Sequence, residues 1–134
     1  MAGWPERESG DLHALFDAVA DSVPEVRARV RAWCDAIPIA DPVLGDLLLA
    51  VTEAAANVVR HAYAEGRPGT FSLDARREAE GVVIAIRDEG VGMGHAAPSR
   101  GGGLGLDIIE RLFPHSTVCQ ADPGTRVTIR TPVS

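Results

Sequence analysis

Glu53 and Asn57 are the first residues whose types and spacing indicate chemistry. They stand four positions apart within TEAAANVVRHAY (residues 52–63), so a helix there would place them one turn apart on the same side. A carboxylate and an amide in this arrangement can orient a nucleophile and hold Mg²⁺, which takes one or two protein oxygens and completes its shell with phosphate and water. The alternative is the solvated face of an amphipathic helix.

Asp88 is the second candidate, because it follows the apolar run 82–86 and precedes Gly90 and Gly92. Glycine backbone lets a planar ring approach closely, and the carboxylate can accept a hydrogen bond from an exocyclic amine such as that of adenine. The alternative is a glycine turn that begins at an aspartate.

A glycine-rich run, RGGGLGL (residues 100–106), opens a predicted helix and is the third candidate. N–H groups at a helix N-terminus bind phosphates, and Arg100 would add positive charge there. All 13 basic residues of the chain are arginine, which excludes a P-loop lysine and a Schiff base. The alternative is a flexible linker.

The elements that must position these residues follow from hydrophobic spacing and turn signals. Ser22 is the predicted N-cap of a first helix, and Leu47, Val51, Ala54 and Val58 form the apolar stripe of a central helix. Seven of the sixteen residues from 90 to 105 are glycine, which favours a mobile loop over regular structure. The predicted elements are a strand over 12–18, helices over 23–36, 43–64 and 106–113, and strand pairs over 70–77 with 82–88 and 116–121 with 126–131. This order predicts an α+β fold, a two-layer sandwich.

Composition narrows the classes of partner. A length of 134 residues fits one domain, here predicted over 11–134 after a flexible arm over 1–10. The net charge of -6 argues against nucleic acid and anionic membranes as partners. Apolar runs shorter than about 18 residues and a polar N-terminus predict a cytoplasmic domain. Cys34 and Cys119 are both predicted to be buried thiols.

These motifs, in this order, resemble the GHKL ATP-binding family of gyrase-type ATPases, Hsp90 and sensor-kinase ATP domains. TEAAANVVRHAY resembles the family's N-box, DEGVGM (88–93) its first glycine box, RGGGLGL its second, and Gly124-Thr125 its closing element. The similarity spans residues 47–129 and implies the Bergerat-type fold, a mixed, mostly antiparallel sheet covered on one face by helices. Within the family, the small size and the N-box wording most resemble the bacterial anti-sigma factor serine kinases.

The resemblance implies ATP and Mg²⁺ as cofactors and gives each candidate a role. Glu53 would be the general base and Asn57 the magnesium ligand, while residues 93–102 would close as a lid. Asp88 would bind the adenine amine, with Gly90 and Gly92 of the first glycine box and Thr125 near the same edge. Gly103 and Gly105 would face the phosphates, and Arg100 would contact the γ-phosphate.

The main hypothesis is therefore a protein-serine kinase that sequesters a sigma factor and phosphorylates an anti-anti-sigma (STAS-type) partner. A second is a nucleotide-binding docking module with little or no transfer. A third is a detached sensor-histidine-kinase ATP domain acting on another chain, and a fourth is a structural domain with chance glycines. An exposed first strand would allow a homodimer.

Overall fold

The structure, a computed structural model, describes residues 11–63, 68–79, 81–90, 104–120 and 124–132. Nothing described covers the predicted N-terminal arm, so the division into arm and domain stays a prediction. The elements are strands β1 (Leu12–Asp17), β2 (Thr70–Glu78), β3 (Gly81–Asp88), β4 (Thr117–Gln120) and β5 (Thr125–Pro132), and helices α1 (Ser22–Cys34), α2 (Asp41–Asn57) and α3 (Leu104–Leu112).

The five strands form one sheet in the order β1-β2-β3-β5-β4. Each of the four pairings between neighbouring strands is antiparallel. We expected a mixed, mostly antiparallel sheet, and the described sheet is antiparallel throughout. The long central strands fix the register: Asp88 at the end of β3 lies opposite Phe71 on β2 and Thr125 on β5. Asp88 and Thr125, both predicted to lie at the adenine site, are thus neighbours at this end of the sheet.

Helices α1 and α2 bury their apolar stripes, as predicted. Val26 and Val30 of α1 are fully buried, and so are Leu47 and Val51 of α2, because residues three or four apart lie on one face of a helix. Ser22 is the first residue of α1 and is buried, so the prediction that it caps the helix is wrong by one position.

The central helix does not remain α-helical to its end. We expected one helix over 43–64, but the α-helical part ends at Asn57 and the next five residues, Val58–Ala62, are a π-helix. Such segments are rare and are frequently found at functional sites. We refer to Val58–Ala62 as the π segment.

The core lies between the sheet and the helices. Strand residues such as Ile84 and Ile129 are fully buried together with the helix stripes in one cluster. The aromatic rings of Phe16 and Phe71 stack there with centroids 5.7 Å apart. One apolar face of the sheet is thus covered by helices, as a two-layer α+β sandwich requires.

The two cysteines differ in environment. Cys34 is buried, and burial together with the charge of Asp35 raises the pKa of its thiol to about 11. Cys119 is exposed, so the prediction that both thiols are buried is wrong for it. The reason is its position on β4, an edge strand that has a neighbour on one side only.

In the described part of the chain, Asp41–Ala62 is long and apolar enough to cross a membrane by length and composition, with a mean hydropathy of 1.4. Our expectation from apolar runs missed this stretch, because small and polar residues interrupt it. The stripe of this helix packs into the core between α1, α3 and the sheet, as the central helix of a globular domain does.

Candidate functional site

Asn57 and Glu53 lie one turn apart on α2, as predicted. The Asn57 side chain is 7% exposed, and its Nδ2 donates a hydrogen bond to the Glu53 carbonyl oxygen at 2.9 Å. A carbonyl oxygen only accepts, so this bond fixes which end of the amide is nitrogen. The Asn57 Oδ1 is buried without a hydrogen-bond partner among the described residues. Buried polar atoms are rarely left unpaired, so this oxygen fits a ligand atom for a cation.

Asp88 places a buried carboxylate at the end of β3. The residue is 5% exposed, and its Oδ1 accepts a hydrogen bond from the Gly90 N–H at 2.9 Å. Burial raises the pKa of the Asp88 carboxyl above its ordinary value, and the backbone N–H groups of Gly90 and Thr125 and the Arg87 charge oppose this shift. A carboxyl group that is buried although burial disfavours its charged form is typical of a binding site.

Gly124 and Thr125 close the same end of the sheet. Gly124 has a φ of +96°, the one positive φ among the described residues, and a Cβ there would lie 2.0 Å from the Asp88 carbonyl oxygen. Thr125 is 7% exposed and lies directly opposite Asp88 in the ladder. The turn into β5 therefore approaches Asp88 more closely than any other residue type would permit.

Sequence reasoning did not find the contact between the π segment and the first glycine box. A Cβ at Gly90 would lie 1.8 Å from the Ala62 carbonyl oxygen, so Gly90 packs directly on the end of that segment. Asn57 is the last residue of the α-helix before the π segment, and Ala62 is the last residue of that segment. The structure thus brings the Asn57 end of α2 and the Asp88 turn to one edge of the fold.

Tyr63 follows the π segment and is the last residue of the N-box, and the sequence motifs predict no role for it. Its hydroxyl donates to the Thr70 carbonyl oxygen at 2.6 Å and accepts from the Glu89 N–H at 3.0 Å. Its position in the motif was the available signal. The two hydrogen-bond partners could not be predicted from the motif, because they lie 7 and 26 residues away along the chain.

The remaining predicted residues are placed only in part. Gly105 is the second residue of α3, in its first turn, as a phosphate-binding helix N-terminus requires. Gly92, Gly103 and Arg100, together with the predicted lid over 93–102, lie outside the described residues. The roles given to all these residues remain predictions.

Residues 16–131 match the family described as the histidine kinase-like ATPase domain. The chain belongs to this family. The resemblance found in the N-box and glycine boxes is thereby confirmed, and membership in the histidine kinase-like ATPase family implies a site for ATP.

Three curated relatives to which the chain is similar over most of their length are anti-sigma F factors. The anti-sigma F factors of Bacillus velezensis and Bacillus subtilis are each 24% identical over 131 residues, covering 90% of this chain and 89% of theirs. The anti-sigma F factor of Geobacillus stearothermophilus is 24% identical over 132 residues, covering 90% of both chains.

A solved structure has the same fold. The crystal structure of the RsbU and RsbW domains of Rv1364c from Mycobacterium tuberculosis superposes with a TM-score of 0.74 at 24% identity, over 92% of this chain. The match spans about a third of that solved chain, 32%. At this identity the similarity shows the α+β fold alone.

Proposed function

We propose that this protein is an ATP- and Mg²⁺-dependent protein-serine kinase that also acts as an anti-sigma factor. It would sequester a sigma factor and phosphorylate a serine on an anti-anti-sigma partner of the STAS type. Membership in the histidine kinase-like ATPase family supports the ATP site, and the similarity to anti-sigma F factors supports the proposed anti-sigma function. The observation that carries the kinase proposal is the buried, unpaired Asn57 Oδ1 one turn from Glu53.

Asn57 fits the role of magnesium ligand on chemical grounds. Mg²⁺ prefers hard oxygen ligands and takes few of them from the protein when phosphates supply the others. Mg²⁺ held at the Asn57 Oδ1 would neutralise charge on the ATP phosphates. The hydrogen bond from Nδ2 to the Glu53 carbonyl holds the amide in place, so its oxygen is oriented before any ligand arrives.

Glu53 is the proposed general base. Its carboxylate would take the proton from the serine hydroxyl as the serine oxygen bonds to the γ-phosphorus and the bond from that phosphorus to the bridging oxygen of ADP breaks. Asp88 would hold the adenine amine, and Gly105 would present N–H groups to the phosphates. The protein's contribution is then positioning and charge neutralisation.

The proposal includes a homodimer formed through β1. This strand is at an edge of the sheet, and its Leu15 side chain is 69% exposed. An edge strand offers unpaired backbone groups that a second copy can pair with across a two-fold axis. Light scattering should give twice the chain mass of 14.1 kDa, and a monomeric mass at working concentration would contradict this part of the proposal.

The first test is ATP binding with Mg²⁺ by calorimetry. Asp88→Asn should weaken binding at least tenfold, because a hydrogen bond to a charged group contributes roughly 1.5–3 kcal/mol. Asn57→Ala should also weaken binding, because it removes the proposed oxygen ligand of Mg²⁺. Asp46→Asn is the matched control, since Asp46 is exposed on the same helix. Absence of binding by the wild type would overturn the nucleotide site.

The second test separates transfer from binding alone. With ATP and candidate STAS-domain partners, the wild type should place acid-stable phosphate on a serine, and Glu53→Gln should bind ATP but lose transfer. Glu25→Gln, an exposed change on α1, should leave transfer intact. Acid-labile phosphate on the acceptor would favour the detached histidine-kinase domain, and ATP binding without any transfer would favour a docking module.

A further inference from the structure

The Tyr63 hydroxyl bridges two segments that are far apart in the chain. It lies 2.6 Å from the Thr70 carbonyl oxygen at the start of β2 and 3.0 Å from the Glu89 nitrogen just after β3. A phenol has one hydrogen to donate, and the carbonyl takes it, so the hydroxyl oxygen is left to accept from the Glu89 N–H. Both hydrogen-bonding functions of the group are therefore used.

The Tyr63 ring is held in place by a glycine. A Cβ at Gly69 would lie 2.4–2.5 Å from three ring carbons of Tyr63, so the ring lies directly against the Gly69 backbone. A methyl group at that position has no space unless the ring moves. Gly69 thus permits the one ring position from which the hydroxyl reaches both partners.

These contacts meet at the turn that carries Asp88. Tyr63 holds the nitrogen of Glu89, the residue after Asp88, and Ala62 packs on Gly90, the residue after that. The Gly90 N–H in turn donates to the Asp88 carboxylate. Glu89 and Gly90, the two described residues that follow Asp88, are therefore each held by a contact with Tyr63 or with the end of the π segment.

From this arrangement we infer that Tyr63 is a positioning residue that sets the selectivity for the adenine base. Through Glu89 it holds the Asp88 carboxylate where it accepts a hydrogen bond from the exocyclic amine. The inference rests on the proposed function, because it needs a nucleotide whose base meets Asp88. It adds a residue that touches no part of the nucleotide and acts through the backbone of the turn.

The test compares ATP with inosine triphosphate, in which a carbonyl oxygen replaces the amine. The wild type should prefer ATP, because a carbonyl oxygen facing the Asp88 carboxylate finds no hydrogen to share. Tyr63→Phe removes the hydroxyl and keeps the ring, and should lower the ratio of the two affinities about five- to tenfold. Gly69→Ala keeps the hydroxyl but displaces the ring, and should lower the ratio in the same direction.

A matched control removes a hydroxyl elsewhere. Thr131 is 5% exposed, and its Oγ1 donates to the Pro132 carbonyl at the opposite end of β5 from Thr125. Thr131→Val should lower stability but leave the affinity ratio at the wild-type value. A merely structural role for Tyr63 would behave as this control does, because partial unfolding weakens both nucleotides by the same factor.

Amide hydrogen exchange gives a readout that needs no nucleotide. The Glu89 N–H should exchange about five- to tenfold faster in Tyr63→Phe than in the wild type, since its bond to the hydroxyl is lost. Wild-type selectivity that persists in Tyr63→Phe would overturn this inference alone. A wild type that binds both nucleotides equally would overturn it together with the proposed contact between Asp88 and the adenine amine. A wild type that does not bind ATP would overturn the proposed function and this inference with it.

Discussion

Replacing Gly124 with alanine tests the closest backbone approach in the candidate site. The residue has a φ of +96°, a conformation that side chains with a Cβ rarely adopt. The added Cβ would also lie 2.0 Å from the Asp88 carbonyl oxygen, whereas ordinary contacts begin at 3.4 Å. The start of β5 must therefore move away from Asp88, or the turn must change conformation.

The expected loss of stability has two parts. The backbone strain costs roughly 1–3 kcal/mol. Separating the two atoms disturbs the first pair of the β3–β5 ladder, Asp88 with Thr125, which costs about 1 kcal/mol more for a lost hydrogen bond. A total of roughly 2–4 kcal/mol should lower the melting temperature by on the order of 10 °C in a chain of this size.

Gly45→Ala is the matched control for this change. No atom lies within 4 Å of a Cβ at Gly45, which is an exposed residue inside α2. Alanine there should raise stability by about 0.5–1 kcal/mol, because glycine loses more backbone entropy in a helix. Thermal unfolding monitored by circular dichroism should therefore give shifts of opposite sign. A Gly124→Ala variant that melts with the wild type and binds ATP equally well would refute the reasoning.

Three further outcomes follow from burial and charge. Since burial raises the folded-state pKa of Asp88 above its ordinary value of 3.8, wild-type stability contains a part that declines as pH rises above that value. Urea unfolding should therefore show that the free energy of unfolding of Asp88→Asn, relative to that of the wild type, is larger at pH 7 than at pH 4. A relative free energy that is smaller at pH 7 would contradict this prediction. Thiol titration of the folded protein should detect Cys119 alone, with Cys34 reacting only after unfolding, and Cys119→Ser should remove the fast signal. Phe71→Ala should cost about 3–5 kcal/mol by urea unfolding, because the ring is 1% exposed, and a loss below about 1 kcal/mol would speak against this packing.

The fold was predictable where one physical pattern dominates. The apolar stripe of α2 follows from a periodicity of 3.6 residues, and the hairpin follows from the alternation along β2 and the continuous apolar run of β3. Both predictions are confirmed. Local rules failed where tertiary contacts decide. The Ser22 side chain is buried, and its backbone N–H bonds to the Val19 carbonyl in a turn, so a rule based on the side chain misplaced the cap. The exposure of Cys119 depends on strand order, which alternation along one strand does not contain.

The candidate site likewise has one part that the sequence predicts and another that depends on tertiary contacts. An acid at the end of a buried strand is visible in the sequence, and Asp88 is buried at the predicted place. The unpaired oxygen of Asn57 was not predictable, because it depends on what surrounds the side chain. The bridge made by Tyr63 reaches Glu89, 26 positions later in the turn after β3, and no local motif encodes such a pairing.

The π segment determines where the site can tolerate a change in chain length, which point substitutions do not reveal. A π-helix closes its hydrogen bonds over five residues where an α-helix uses four, so Val58–Ala62 accommodates an additional residue within one turn. Deleting one residue there would allow ordinary α-helical bonding to continue. The same deletion within the α-helical part of α2 has no additional residue to remove, and it would rotate everything after it by about 100°, the turn per residue of an α-helix. Tyr63 would then face away from Glu89, although every side chain of the site remained in the sequence.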